Sequence, residues 1–296
     1  MMSAQDLAGA VERYNAGAEA LSLNDKAGAL DNFQKALAGA LECGEEGAEV
    51  VANCKNVIPG LVISIAKEYY NAKDFDTALV KVNEALDLAV EYGNEDAKAE
   101  AEGLISQVSL QKAMAEGNDA FKAKDFAAAA TSYKQVLAID PANKNASIRL
   151  LQALTSAGDL AEAKAAHEIA VANGKEQDAN KILGGAFLKQ AAASLKAGNS
   201  AAAIAEAEES LNYNENAQAY LIAGQASSKI KKNNEAIKYF EKYLEADPTA
   251  KNAGQIALTV GALYQGAGNK AKALEFYKKA QSLGTDAKTY IDALSK

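Results

Sequence analysis

"AFKAKDFAAAATSYKQVLAIDP" occupies residues 120–141, and "KIKKNNEAIKYFEKYLEADP" occupies 229–248. Each places an Ala twelve residues before the Pro, Ala129 and Ala236. Each places an aromatic four residues after that Ala, Tyr133 and Phe240, and each ends Asp-Pro. One chain writes nearly the same phrase twice, so a repeat is sought before anything else. With the Ala as anchor, the same phrasing recurs at Ala29, Ala78, Ala129, Ala163, Ala203, Ala236 and Ala273. The position four on holds Phe33, Val82, Tyr133, His167, Ala207, Phe240 and Tyr277. The position seven on holds Ala36, Ala85, Val136, Ala170, Ser210, Tyr243 and Ala280. Spacings of four and seven put these residues on one helix face.

Twelve residues before each anchor stands a residue that is usually small: Gly17, Ala66, Gly117, Leu151, Ala191, Gly224 and Gly261. It belongs to a preceding helix, where a small side chain admits a close neighbour. Between the two helices lie short turns reading "LNDK", "AKDF", "AKDF", "AGDL", "AGNS", "KKNN" and "AGNK". Gly, Asn and Asp supply turn conformations and helix caps. The unit is therefore helix, tight turn, helix.

This layout resembles the tetratricopeptide repeat family, whose period is about 34 residues with a Gly and Tyr in the first helix and Ala, an aromatic and Pro in the second. "MAEGNDAFKAKDFAAAATSYKQVLAIDP", "LIAGQASSKIKKNNEAIKYFEKYLEADP" and "LTVGALYQGAGNKAKALEFYKKA" carry the likeness, which extends over nearly the whole chain. The resemblance implies an all-α fold, a right-handed α-solenoid of about seven helix pairs. "GTDAKTYIDALSK" opens with a capping signal and sets Tyr290, Ile291 and Leu294 on one face, as a terminal capping helix needs. Anchor spacings of 49, 51, 34, 40, 33 and 37 show that the first two units carry extra residues, read here as longer helices. The stretch "NEDAKAEAEGLISQVSLQKAMAEGNDAFKAK" has no breaker except Gly and reads as one helix. Pro59 either starts a helix or kinks one. The expected division is an acidic N-terminal part over 1–103, a repeat array over 104–284 and a cap over 285–296.

Composition agrees with helices: 49% of residues are hydrophobic, there is no Trp and there are only three Pro. Residues 1–103 hold 19 acidic and 8 basic side chains, a net −11, against 20 and 23 in the remainder, a net +3. The overall charge of −8 disfavours a nucleic-acid partner held through phosphates. The acidic excess reads as a solvated face, with a docking surface for a basic partner as the alternative. Cys43 and Cys54 read as two packed thiols, poorly placed to bond to each other. No stretch reads as apolar enough to cross a membrane, since "NVIPGLVISIA" is short and interrupted by Pro59. It reads as a buried helix. "MMSAQDL" resembles the small-residue end of a secretion signal with a cut before Gln5. On that reading the chain is periplasmic or exported; otherwise it is cytoplasmic.

The chemistry of an active site is not written here. There is no Gly-rich phosphate loop and no Cys-x-x-Cys, and the single His, His167, occupies a packing position. The pairs Glu45–Glu46 and Glu208–Glu209 read as solvated charge. No enzyme, cofactor or metal is expected. The resemblance instead implies a concave wall made of first helices that holds a partner's segment. The positions off each packing face are Gln111, Met114, Asn118 and Lys122; Asn145, Arg149, Gln152 and Ser156; Gln218, Leu221, Gln225 and Lys229; and Gln255, Leu258 and Gln265. Amides pair with the backbone of an extended peptide, and Arg149 or Lys229 with a carboxylate. The residues taken as the partner-binding groove are Asn118, Lys122, Asn145, Arg149, Gln152, Gln218, Gln225 and Lys229. One subtype of the family clamps a C-terminal carboxylate with two Lys, two Asn and an Arg. Met114 stands where that subtype has Lys, so no clamp is carried over. The expected function is a noncatalytic scaffold or adaptor for a protein or peptide partner, as a monomer or weak homo-oligomer. A ligand-responsive regulator is the alternative. An all-α hydrolase is the third reading and needs two buried, facing carboxylates.

Overall fold

The computed structural model describes residues 4–295, so the first three residues of the proposed signal remnant lie outside the described residues. The helices are α1 (Ala4–Ser22), α2 (Lys26–Glu42), α3 (Ala48–Asn71), α4 (Phe75–Tyr92), α5 (Glu95–Lys122) and α6 (Phe126–Ile139). There follow α7 (Lys144–Ala157), α8 (Leu160–Ala172), α9 (Glu176–Lys196), α10 (Ser200–Tyr213) and α11 (Ala217–Lys229). The last are α12 (Asn233–Ala246), α13 (Ala253–Gly266), α14 (Lys270–Ser282) and α15 (Lys288–Leu294). No strand occurs among the described residues, and a 3-10 turn spans Gly44–Gly47. The fold is all-α: seven helix pairs and a short terminal helix. Two compact units contain them. One holds the described residues up to Lys122 with Thr131–Pro141; the other holds Ala123–Ala130 and the described residues from Ala142 onward. The charge boundary at residue 103 falls inside α5.

The turn within each pair follows one rule. One residue takes the left-handed conformation: Asn24, Lys73, Lys124, Gly158, Gly198, Lys231 or Gly268, with φ between 58° and 83°. The next residue caps the second helix. Its amide reaches back to close the first helix, as in Asp74 N–H to Tyr69 O at 2.9 Å and Asn269 N–H to Tyr264 O at 2.9 Å. In most pairs its side chain accepts an amide from the new helix, as with Asp25 from Gly28 at 2.9 Å, Asp74 from Thr77 at 3.1 Å and Asp159 from Glu162 at 3.0 Å, whereas Asn199 makes no such bond. The sixth turn departs from its sequence reading by one residue. Lys231 is the left-handed residue and Lys232 the cap, and Lys232 makes no side-chain cap bond.

The anchors set the packing. All seven anchor alanines are fully buried, at 0% exposure. In four of the pairs the residue twelve before and the residue four after meet and trade volume. A Cβ added to Gly17 would lie 2.9 Å from the Phe33 ring, to Gly117 2.8 Å from Tyr133, to Gly224 2.6 Å from Phe240 and to Gly261 2.6 Å from Tyr277. Where the second helix offers Val82 or Ala207, the first offers Ala66 or Ala191, and all four are buried. Glycine inside a helix costs about 1 kcal/mol, and burying an aromatic ring contributes about 1.5–3 kcal/mol, so the exchange favours the ring.

In the first unit the extra residues lengthen helices. α3 has 24 residues and α5 has 28, against 14 in α7. α3 packs on α2, α4 and α5 and buries Cys54, Ile58, Leu61, Val62, Ile63 and Ala66 in their shared core. Helix α3 runs on through Pro59. One sequence expectation is corrected: Gly44–Asn71 does pass, by length and composition, as a membrane-crossing stretch, with a hydropathy of 1.3. Only a third of its apolar window is buried, chiefly the face from Cys54 to Ala66 that packs on α2, α4 and α5, so it is a part-buried helix and not the buried one expected. Cys43 and Cys54 stand as separate thiols, and burial pushes Cys54 up to about 11.

The second unit has two core clusters. One joins α9 to α12 through Ala191, Ile204, Ala223 and Tyr239. The other runs from α11 through Phe240, Val260 and Tyr277 to the terminal helix, where Ile291 and Leu294 pack against it. Tyr290 stacks on Tyr277 at 4.9 Å between ring centroids.

Candidate functional site

α7 is held at both ends, by Asn143 accepting from Ala146 N–H at 3.0 Å and by left-handed Gly158. It buries Ala146, Ser147, Leu150, Leu151, Ala153 and Leu154. Asn145 and Arg149 are left exposed one turn apart, with Gln152 half-buried beside them. The Arg149 guanidinium donates to Gln152 Oε1 at 3.3 Å, which orients the cation along the helix. Arg149 has no carboxylate partner among the described residues.

α11 starts where Asn216 accepts from Gln218 N–H at 2.8 Å. α10, α12 and α9 all pack on it, so its buried face is broad: Ala219, Leu221, Ile222, Ala223, Gly224, Ala226 and Ser227. Only a narrow stripe with Gln218, Gln225 and Lys229 is exposed. Leu221, read from sequence as part of the wall, is instead in the core at 7% exposure. Counting positions along one helix does not reveal how many neighbours flank it.

α5 belongs to the first unit. Asn118 is half-buried there and accepts the Tyr133 hydroxyl at 3.0 Å. Lys122 is exposed and pairs with Asp119 at 3.0 Å. Gln265 of α13 likewise accepts the Tyr277 hydroxyl at 2.6 Å. These two amides serve buried tyrosines as well as facing outward. The structure thus brings Asn145, Arg149 and Gln152 together on α7, and Gln218, Gln225 and Lys229 onto one stripe of α11. It gives Asn118 and Lys122 partners of their own.

The acidic pairs divide. Glu45 and Glu46 are exposed, as expected. Glu208 and Glu209 are not merely solvated: Glu209 pairs with Lys164 at 2.6 Å, and Glu208 accepts the Tyr239 hydroxyl from another helix. Tyr264 makes the same kind of link to Glu241, at 2.8 Å. Burial and then that carboxylate push Tyr264 up to about 12, and the same causes raise Tyr239. His167 sits at 2.6 Å from Asn180 Oδ1 and edge-on to Tyr213, 4.9 Å between centroids. Tyr213 stacks on Phe187, so the rings missing from two anchor positions are supplied from α9 and the end of α10. The residues buried with polar side chains are serines, among the described residues, so no buried carboxylate pair of the kind a hydrolase needs is found there. No three His, Cys, Asp or Glu gather as metal ligands among the described residues.

Sequence models of the tetratricopeptide repeat match residues 120–180 and 217–249. The chain carries tetratricopeptide repeats. Solved structures similar to this repeat array include a MamA protein, 24% identical over 59% of this chain and 91% of its own, at a TM-score of 0.36. MamA from Desulfovibrio magneticus RS-1 is 15% identical over 60% and 95%, at 0.34. A tetratricopeptide repeat protein from Parabacteroides merdae is 13% identical over 97% and 99%, at 0.29. Each superposes too loosely to carry an argument. No curated protein matches the chain. Tetratricopeptide repeats generally bind protein partners, and the fold is typically a non-catalytic scaffold. In that general sense this array is a protein-interaction scaffold.

Proposed function

We propose that the chain is a non-catalytic adaptor that holds an extended segment of a partner protein against exposed faces of its first helices, with α7 at the centre. The observation that supports this is the Asn145–Arg149–Gln152 face. It presents an oriented cation without a carboxylate, flanked by amides that both donate and accept. Arg149 meets a carboxylate of the partner, and Asn145 and Gln152 pair with its backbone. Gln218, Gln225 and Lys229 on α11 extend the recognition, and Asn118 and Lys122 add a polar surface in the first unit. Co-purification of the tagged chain from its native cells, beside an Arg149→Glu, Gln152→Ala variant, tests the reading. Both positions have side chains clear of the core, so the variant keeps its helical circular dichroism. A partner held by the native chain and lost from the variant supports the α7 face. Partners held equally by both remove it.

A further inference from the structure

The first unit carries a second surface, at the other end of α5 from Asn118 and Lys122. The end of α2, the first half of α3 and the α4–α5 turn enclose an open concavity of about 790 Å³, lined in part by Leu41, Val51, Ala52, Lys55 and Tyr92. Its floor is apolar, and Leu41 is 57% exposed, which leaves a large aliphatic side chain uncovered. Its rim is acidic. Glu95 and Asp96 line it directly, and Glu42, Glu45, Glu49 and Glu91 each adjoin a lining residue in sequence, whereas Glu46 lines a separate concavity with Leu7 and Val11.

Several carboxylates elsewhere in the unit are paired. Asp31, Glu68, Glu84 and Glu100 each pair with a lysine at 2.6–2.8 Å. Around the concavity only Glu95 has an ion pair, a long one to Lys98 at 3.4 Å. Lys55, the one cation lining it, lies over the Tyr92 ring at 5.3 Å and makes no ion pair. Part of the −11 of residues 1–103 is therefore left uncompensated beside an open apolar floor. Crowded like charges repel one another, and an arriving cation relieves that repulsion. A wholly cationic ligand would leave Leu41 wet, and a wholly apolar one would leave the rim unmatched.

We propose that this concavity docks a cationic segment of another polypeptide, an aliphatic side chain on the floor and flanking Lys or Arg on the rim. The test uses a fluorescein-labelled peptide of alternating Lys-Lys and Leu, read by anisotropy against the full chain, beside an all-Lys peptide and a Glu-for-Lys peptide. Glu45→Gln, Glu49→Gln, Asp96→Asn weakens the Lys/Leu peptide about tenfold, as three exposed ion pairs together supply. Glu19→Gln, Asp87→Asn, Glu102→Gln removes the same charge from exposed positions elsewhere in the unit and changes binding less than about twofold. Leu41→Ser removes the preference for Lys/Leu over all-Lys. Equal losses from the two triple variants overturn the proposal in favour of diffuse attraction. So does absence of binding to the native chain. Self-association in sedimentation velocity that the peptide reverses overturns it in favour of a second copy of the chain.

Discussion

The α3–α4 pair and the α11–α12 pair solve one packing problem with different side chains. Both press the middle of a first helix onto the anchor face of a second. In α3–α4 the contact is Ala66 on Val82, and the missing ring volume is made up by long helices and a cluster rich in Val and Ile. In α11–α12 the contact is Gly224 on Phe240, and the helices are short, at 13 and 14 residues. A unit can therefore keep its separation by a small pair and more length, or by a glycine and a ring. The two solutions are not interchangeable one residue at a time.

That incompatibility gives the largest expected effect. Gly224→Val drives a branched side chain into a ring that is 2% exposed, and the added Cβ alone lies 2.6 Å from it. Overpacking of this kind costs about 3 kcal/mol, read as a lowered urea midpoint at unchanged slope. Gly224→Ala with Phe240→Val transplants the α3–α4 solution. The double variant is more stable than the sum of the singles by about 1 kcal/mol or more. Strict additivity would mean that the two side chains do not confront each other.

The turns sharpen the same comparison at smaller scale. Asp74 caps α4 through Thr77, whereas Lys232 begins α12 without a side-chain cap bond to the backbone. Asp74→Ala therefore lowers stability by about 1 kcal/mol, and Lys232→Ala changes it by less than about 0.5 kcal/mol. Equal costs would mean that the Asp acts through charge at the helix start and not through its hydrogen bond. One residue earlier the ranking reverses. Lys73 and Lys231 hold φ of 63° and 58°, where a Cβ is strained. Each replacement by Gly raises the unfolding free energy by about 0.5 kcal/mol, while Gly268→Ala lowers it by about 1 kcal/mol, read from urea titrations.

Much of this was legible in the chain because it is local or recurs at fixed spacing. The anchors Ala29 to Ala273 could be named from a four-and-seven pattern, and each is fully buried. The α5 helix could be read from the want of breakers. What escaped was set by neighbours distant in sequence. Lys73, Lys124 and Lys231 hold the left-handed conformation that Gly158, Gly198 and Gly268 fill in other turns, which their residue type does not announce. Leu221 looks like wall until α9, α10 and α12 close around it. Glu208 looks solvated until Tyr239, 31 residues on, donates to it. Of the candidate surface, the exposed side of α7 was visible as positions off a packing stripe. That Asn118 and Gln265 also satisfy tyrosine hydroxyls was not, since an amide reads alike in either role.

The least of the expected effects appears only in alkali, and it again separates the two units. In the second unit Tyr264 is pushed up to about 12 and Tyr239 is also raised, both by burial and then by the carboxylates they bond. An unfolded Tyr ionises near about 10. A folded value above the unfolded one means that the protonated phenols favour the native chain. Their contribution is whole below about pH 10 and is lost as the pH climbs through the folded values. Tyr239→Phe with Tyr264→Phe removes those protons from the balance, so the fall in stability between about pH 10 and pH 12 becomes shallower than in the native chain. In the first unit the matching group is Cys54, raised to about 11 by burial alone. Cys54→Ala flattens an earlier part of the same curve, beginning near the ordinary thiol value of about 8.5. Urea midpoints measured in pH steps distinguish the two. If the double Tyr variant leaves the slope unchanged, Glu208 and Glu241 do not hold those phenols protonated, and the tyrosine links of the second unit are packing contacts only.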